Sequence, residues 1–189
     1  MNSQLSKFVE KEIVANYMTF KNLLQPNLFL ESVLNLTPEM IQQHQLKGLV
    51  LDVDETLVPI TVGNISEDLQ DWIEKIRPHV SMWLVSNNLS ESRIGSIARS
   101  LDIPYFVGAA KPRRHKVRQA MEKMDLPCNQ VAMVGDRLFT DVVVGNRLEM
   151  FTILVNPIPH PDTIIRIHPI RDIEFFISSL LGNTITLKQ

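Results

Sequence analysis

The chain has 189 residues, of which 44% are hydrophobic and 21% are charged, a balance typical of a folded globular domain and not of a disordered chain. Its net charge of −2 and isoelectric point near 6.2 argue against a general nucleic-acid-binding protein, which would be basic. The single cysteine, Cys128, excludes an internal disulfide and fits a reducing compartment, so we expect a cytoplasmic protein.

The sequence shows neither of the usual patterns of secretion or membrane insertion. Residues 1–18 carry charges at Lys7, Glu10, Lys11 and Glu12, where a signal peptide has an apolar run. No stretch approaches the ~18 uncharged apolar residues that a spanning helix needs. We therefore expect no transmembrane segment, while peripheral contact with the inner face of a membrane stays open.

The first part of the chain is predicted to be a helical lead-in that packs on or beside the main domain. Pro26 interrupts this segment, and Thr37 followed by Pro38 has the composition of a helix start, with Thr37 as the N-cap. The predicted boundaries are 1–46 for the lead-in, 47–182 for the main domain and 183–189 for a tail.

From Lys47 onward, apolar runs typical of strands alternate with amphipathic segments typical of helices. The first run, "KGLVLDV", is almost continuously apolar, which is the pattern of a strand covered on both faces. Ser66 is the predicted N-cap of the helix that follows, with acidic residues in its first turn. Strands are predicted at 47–53, 80–86, 105–108, 130–135 and 151–156. Helices are predicted at 66–77, 90–101, 112–124, 139–150 and 171–181.

This alternation predicts an α/β fold, a three-layer sandwich around a mainly parallel five-stranded sheet with right-handed crossovers. In such sheets, ligands bind beyond the carboxyl ends of the strands. The segment between Thr56 and Asn88 is nearly filled by one helix and one strand, which leaves room for a minimal cap domain or none. The site is therefore expected to be open, as suits a large or surface-bound substrate.

Polar residues follow the carboxyl ends of four predicted strands. Singly, each cluster has the composition of an ordinary turn or helix cap. Together, they are expected to meet at one edge of the sheet. The clusters are Asp52, Asp54 and Thr56; Ser86, Asn87 and Asn88; Lys111 and Pro112; and Gly135, Asp136, Arg137, Thr140 and Asp141.

Several carboxylates at one edge need a counter-charge, because two close carboxylates repel each other by ~4 kcal/mol at an effective dielectric constant of ~20. A hard divalent cation resolves this repulsion, and Mg²⁺ prefers oxygen ligands shared with a substrate phosphate. Lys111 supplies a compact positive charge and Ser86 a hydroxyl donor for phosphate oxygens. The pattern therefore predicts a magnesium-dependent phosphoryl site.

The ordered motifs resemble those of the haloacid-dehalogenase-like (HAD) phosphohydrolase superfamily. That superfamily has D-x-D-x-T, a Ser or Thr after the second strand, a Lys and G-D-x-x-x-x-D. The chain has "DVDET" from Asp52, then Ser86, then Lys111, then "GDRLFTD" from Gly135. The resemblance implies a Rossmannoid fold and phosphomonoester hydrolysis through an aspartyl-phosphate intermediate.

The resemblance also implies a role for each matching residue. Asp52 is the implied nucleophile, and Asp54 protonates the leaving oxygen and then activates water. Ser86 and Lys111 hold the phosphoryl group that is transferred. Thr56 is expected to form hydrogen bonds at the strand end and not to take part in the chemistry.

The implied metal ligands are Asp52, the backbone carbonyl of Asp54, and Asp136. Asp141 is expected to act indirectly, through water or through the motif lysine. Asn87 is likewise expected to support the groups that touch the phosphate.

A closer resemblance is to the subclass IIIA phosphatases of the YqeG type, which are related to mitochondrial and plastid phosphatidylglycerophosphate phosphatases. It rests on "LNLTPEMIQQHQLKGLVLDVDETLV", "VSNN", "AKPRR" and "VGDRLFTDVVVGNR…FTILVNP", and covers about 25–157. Glu55 stands where many relatives carry Asn. This resemblance implies an anionic lipid substrate, phosphatidylglycerophosphate, at a membrane surface.

The basic segment 111–118 and Arg137 bear on the substrate, because cations near a membrane surface each contribute ~1 kcal/mol to binding anionic lipid. Arg113, Arg114 and Arg137 are the candidate substrate-binding residues, although a solvated helix face is an equal explanation for any one arginine. Two other functions stay open: a phosphatase of soluble metabolites, and a catalytically silent binding module. The silent module requires a broken motif, and none is broken.

Overall fold

Six parallel strands form the centre of the fold in the computed structural model, which describes residues 21–60, 65–158 and 169–180. Residues 1–20 of the predicted lead-in and the tail 183–189 lie outside the described residues. The sheet order is β1-β6-β5-β2-β3-β4, and every pairing is parallel. The strands are β1 (Leu28–Leu30), β2 (Gly48–Leu51), β3 (Ser81–Val85), β4 (Tyr105–Phe106), β5 (Val131–Gly135) and β6 (Phe151–Val155).

Three of the described helices begin at capping residues. Thr37, Ser66 and Ser90 are N-caps whose side chains each accept a hydrogen bond from a backbone N–H in the first turn of the helix, as predicted for the first two. The helices are α1 (Pro38–Gln43), α2 (Glu67–Ile76), α3 (Glu91–Leu101), α4 (His115–Met124), α5 (Val143–Arg147) and α6 (Pro169–Leu180). None of the helices in the described part of the chain is long and apolar enough to cross a bilayer.

Alternate residues of the central strands pack into cores on opposite faces of the sheet. Leu49 and Leu51 of β2 join the core under α2 and α3, while Val50 between them joins the core under α4 and α5. Because side chains along a strand alternate between faces, a strand buried on both sides must be apolar throughout. This packing makes β2 a rigid support for the residues that follow it.

The predicted α/β fold is confirmed, with six parallel strands instead of the predicted five. The additional strand, β1, lies in the segment predicted to be helical and pairs with β6 at the edge of the sheet. Asn27 fixes it there: its backbone N–H donates to the Thr152 carbonyl at 3.0 Å, and its Oδ1 accepts from Thr152 N at 2.7 Å. A strand of three residues is too short to show the alternation by which strands are recognised.

Between β2 and β3, α2 is the only helix in the described residues, in agreement with a minimal cap. After β5, one π-helical turn at Leu138–Val142 precedes α5, where the sequence predicts continuous α-helix. This turn carries the end of the second aspartate motif, and π-helical turns often mark functional sites.

Candidate active site

A cleft of about 360 Å³ lies beyond the carboxyl ends of β2, β3, β4 and β5. Parallel pairing brings these ends to one edge of the sheet. Asp52 continues β2 by one more hydrogen bond, from its backbone N–H to the Val134 carbonyl at 2.9 Å. The lining residues are Asp52, Asp54, Glu55, Ile60, Ser86, Asn87, Asn88, Lys111, Asp136, Arg137, Thr140 and Asp141.

Lys111 bridges two of the predicted carboxylates at the bottom of the cleft. Its Nζ lies 2.5 Å from Asp52 Oδ1 and 2.8 Å from Asp141 Oδ1, and all three side chains are buried. Burial lowers the pKa of Lys111, but the carboxylates of Asp141 and Asp52 raise it by more, so the net change is upward and the lysine stays charged. Lys111 therefore places a fixed positive charge beside Asp52.

The pKa of Asp52 reflects the opposite balance. Burial raises it to about 6, against the attraction of Lys111, which lowers it, while the charge of Asp141 adds to the increase. Buried carboxyl groups whose pKa is raised in this way are often found at functional sites.

Asp52, Asp136 and Asp141 form a buried cluster in which one carboxylate oxygen from each lies within 4.8 Å of the others. The buried Thr56 hydroxyl lies 3.3 Å from Asp52 Oδ2 and 3.5 Å from Asp136 Oδ1. Lys111 contacts two of these carboxylates, the charge of Arg137 acts on Asp136 and Asp141, and all the donor atoms of the cluster are oxygens. This set suits a hard divalent cation such as Mg²⁺.

Asp54 lines the cleft, and its carboxylate is held by residues that follow β3. Oδ2 accepts a hydrogen bond from Asn88 Nδ2 at 3.0 Å, and Oδ1 forms an ion pair with Arg93 of α3. Arg93 also donates from Nη2 to the Pro59 carbonyl at 2.9 Å. The side chain of Asp54 is therefore held by the loop and helix that follow β3.

Asn87 pairs with the backbone of Lys111 in both directions. Its Oδ1 accepts from Lys111 N at 2.6 Å and its Nδ2 donates to the Lys111 carbonyl at 3.2 Å. The neighbouring Ser86 is buried in the cleft wall, and its Oγ accepts from Asn88 N at 3.0 Å, which leaves the hydroxyl hydrogen to donate. Asn87 thus positions the lysine, and Ser86 offers a donor to the cleft.

The three candidate arginines are not brought together. Arg137 lines the cleft, whereas Arg113 and Arg114 are exposed just before α4 and are not among the described residues that line the cleft. The guanidinium of Arg137 donates to Glu174 Oε1 from Nε at 3.2 Å and from Nη2 at 2.7 Å.

Sequence reasoning missed two residues at this site, Arg93 and Glu174. Arg93 lies in the first turn of the helix after β3, and this place in the chain is the one signal that points to the cleft. Glu174 of α6 is far along the chain and shows no pattern that links it to Arg137.

Comparison with known proteins finds the following similarities. The family model described as "Mitochondrial PGP phosphatase" matches residues 10–158. The "Probable phosphatase YqeG" of Bacillus subtilis (strain 168) is 34% identical over 143 residues, which cover 75% of this chain and 83% of that protein.

Two further proteins are similar to this chain at lower sequence identity. The "Phosphatidylglycerophosphate phosphatase 1, chloroplastic/mitochondrial" of Arabidopsis thaliana is 24% identical over 163 residues, 82% of this chain and 47% of that protein, so the chain spans about half of its length. The crystal structure of an uncharacterized protein from Listeria monocytogenes serotype 4b has a TM-score of 0.50 at 15% identity, covering 72% of this chain and 99% of that chain. This last likeness is one of fold alone.

Proposed function

Because the chain belongs to the mitochondrial PGP phosphatase family, we propose that it hydrolyses a phosphomonoester through Asp52, with phosphatidylglycerophosphate as the substrate. The resemblance to YqeG-type HAD phosphatases is confirmed by the family match and by the Bacillus subtilis relative. The observation that supports the mechanism best is Asp52 at the end of the rigid strand β2, with Lys111 Nζ at 2.5 Å.

In the proposed first step, a carboxylate oxygen of Asp52 forms a bond to phosphorus while the bond from phosphorus to the alkoxide oxygen breaks. Asp54 gives its proton to the leaving oxygen, so the products are an alcohol and an aspartyl-phosphate. Lys111 and Ser86 bind the phosphoryl oxygens, where their positive charge and hydroxyl dipole stabilise the developing charge.

In the second step, Asp54 takes a proton from a water molecule whose oxygen attacks the phosphorus of the aspartyl-phosphate. The bond between phosphorus and the Asp52 oxygen breaks, which releases inorganic phosphate and restores the carboxylate. The two steps use Asp54 first as an acid and then as a base, so the cycle returns the enzyme to its starting protonation state.

Asp52, Asp136 and the backbone carbonyl of Asp54 would hold a Mg²⁺ ion, and Asp141 is close enough to support it. Bound Mg²⁺ would offset the repulsion between a carboxylate nucleophile and an anionic phosphate. The close approach of three buried carboxylates, with one oxygen of each within 4.8 Å of the others, supports this assignment.

The lipid substrate is supported by the name of the Arabidopsis thaliana relative and by the short segment between β2 and β3, in which α2 is the only described helix. Hydrolysis of phosphatidylglycerophosphate would give phosphatidylglycerol and phosphate. Turnover of phosphatidylglycerophosphate in mixed micelles should exceed that of a panel of soluble sugar, nucleotide and histidinol phosphates. Equal or lower lipid turnover would contradict this substrate and favour a phosphatase of soluble metabolites.

The nucleophile is tested by Asp52→Asn, which keeps the side-chain shape but removes the charge. We expect metal-dependent phosphatase activity to fall by about a thousandfold or more, since loss of a nucleophile removes the covalent route. Asp71→Asn, on the exposed side of α2, is the matched control and should keep full activity. Activity retained by Asp52→Asn would rule out the aspartyl-phosphate, and activity in excess EDTA would rule out the metal.

A further inference from the structure

Helix α6 exposes three large apolar side chains on one face. Ile173, Phe176 and Leu180 are 57%, 64% and 67% exposed, respectively. Their spacing of three and four residues places them on the same side of the helix. We call these three residues the apolar stripe. A contiguous exposed patch of this kind marks a surface that contacts a partner or a membrane.

Glu174 fixes the same helix to the rim of the cleft. This side chain is fully buried, and its Oε1 accepts from Arg137 Nη2 at 2.7 Å while its Oε2 accepts from Leu138 N at 3.0 Å. A buried carboxylate is stable only with such charged and polar partners. Because Arg137 lines the cleft, Glu174 places helix α6 beside it. Helix α6 also lies outside residues 10–158, so the family match does not account for it.

Two other exposed apolar side chains lie at or next to residues of the cleft. Ile60 lines it, and Leu89 follows Asn88, which also lines it; both Ile60 and Leu89 are more than half exposed. They come from the segments that follow β2 and β3, at the same edge of the sheet as the loop that Glu174 holds after β5. Exposed apolar side chains therefore lie at the cleft itself as well as on the helix that Glu174 holds beside it.

Exposed cations follow the cleft residue Lys111 in the chain. Arg113 and Arg114 follow Lys111 of the cleft almost directly and are exposed. Arg147 is exposed as well, and its Nη1 donates to the Pro112 carbonyl at 3.0 Å, which brings a third arginine to the same place. Apolar side chains together with arginines form the composition by which proteins bind anionic lipid interfaces.

We propose that the apolar stripe of α6 docks the protein on an anionic phospholipid bilayer, with the cleft facing the headgroups. This inference rests on the proposed lipid substrate and adds the surface through which the enzyme reaches it. A bilayer fits better than a second copy of the chain or a protein partner, because the exposed arginines complement a negatively charged surface.

The docking surface is tested by flotation of the full chain with vesicles of phosphatidylcholine alone or with added phosphatidylglycerol. The wild type should float with the anionic vesicles. The combined variant Ile173→Ser, Phe176→Ser and Leu180→Ser should reduce partitioning tenfold or more, because it removes the apolar contacts with the acyl region. Ser179→Ala, an exposed position on the same helix, is the matched control and should bind as the wild type does.

The electrostatic part is tested by Arg113→Gln with Arg114→Gln. Each lost charge should weaken partitioning onto the anionic vesicles by about fivefold, and added salt should have the same effect. Unchanged partitioning of this variant would show that the arginines do not face the lipid and would contradict the proposed orientation.

Hydrolysis of p-nitrophenyl phosphate with Mg²⁺ separates this inference from the proposed function. The triple α6 variant should hydrolyse this soluble substrate as the wild type does while losing activity on vesicle-borne phosphatidylglycerophosphate. A wild type that hydrolyses the soluble substrate but does not float would overturn the docking surface and leave the phosphatase function standing.

Three other outcomes also overturn the docking surface. One is flotation of the triple variant equal to that of the wild type. The second is a triple variant that loses self-association on size-exclusion chromatography but still floats, which would identify a second copy as the occupant. The third is a triple variant that loses activity equally on the soluble and lipid substrates while its melting temperature is unchanged. This result would show that the apolar stripe is needed for catalysis and not for docking. Flotation without hydrolysis of any phosphomonoester would instead contradict the proposed function.

Discussion

Arg93 connects two parts of the loop that follows β2. Its guanidinium contacts the carboxylate of Asp54 and the carbonyl of Pro59, so one side chain from α3 fixes both the proposed acid and the backbone beyond it. Arginine suits this task because its planar group can bind two acceptors in a fixed geometry. Arg93 is therefore a positioning residue for Asp54.

Replacing Arg93 should impair the step in which Asp54 donates a proton. We expect Arg93→Gln to lower kcat by about a hundredfold for an alkyl phosphate, whose leaving group needs that proton. The loss should be much smaller for p-nitrophenyl phosphate, because its leaving group departs without full protonation. Arg93→Lys should recover part of the activity.

Arg99→Gln, at an exposed position of the same helix, controls for loss of charge and should behave as the wild type. An equal loss on the alkyl and aryl substrates, with a raised KM, would show that Arg93 binds the substrate itself and does not act through Asp54.

The junction between strand β5 and the π-helical turn requires a glycine. A Cβ atom on Gly135 would lie 2.3 Å from Asp141 Cγ, closer than side-chain atoms approach each other. The chain therefore folds the carboxylate of Asp141 against the bare backbone at the end of β5. This close packing is what brings Asp141 to Lys111.

Gly135→Ala should displace Asp141 from Lys111. We expect a fall in kcat of about a hundredfold and a loss of about 1–3 kcal/mol in the free energy of unfolding, as for other overpacked sites. Gly145→Ala is a matched control, because its Cβ would lie 2.4 Å from Thr152 Cγ2, within the packing of α5. It should lose similar stability but keep its kcat. Full activity in Gly135→Ala would show that the position of Asp141 is not required.

Local features of the fold could be predicted from the sequence, whereas features that depend on contacts in the folded chain could not. The apolar run of β2 and the N-caps at Thr37 and Ser66 are local features, so the pattern predicted them. The sequence also predicted that the four polar clusters lie close together, because the carboxyl ends of parallel strands lie at one edge of a sheet. The strand β1 is stabilised by its contacts with β6, and residues 28–30 alone carry too little signal.

Contacts between distant side chains were beyond prediction from the sequence. The pair of Arg93 and Asp54 and the pair of Arg137 and Glu174 each join residues from separate elements. Their geometry depends on how helices pack on the sheet, and spacing along the chain does not encode it.

The buried acidic cluster adds an electrostatic cost to folding. Asp52, Asp136 and Asp141 come together only in the folded chain, so their repulsion destabilises the folded state and not the unfolded one. A cation that binds this cluster would stabilise the folded state by mass action.

Added Mg²⁺ should therefore raise the melting temperature of the wild type in scanning calorimetry, increasingly with concentration. Asp136→Asn should raise the melting temperature in EDTA, because it removes one buried charge, and should remove most of the response to Mg²⁺. Asp71→Asn should respond to Mg²⁺ as the wild type does. A melting temperature of the wild type that does not change with Mg²⁺ would contradict the metal site.

Within the residues that the structure describes, both edges of the sheet are very short strands, three residues in β1 and two in β4. An edge strand offers its free backbone N–H and C=O groups to any other extended chain, and this is how sheets grow into aggregates. Edges of this length present only a few such groups, and β1 is also fastened by the side chain of Asn27. The apolar strands that support Asp52 are thus kept in the middle of the sheet, where another molecule cannot pair with them.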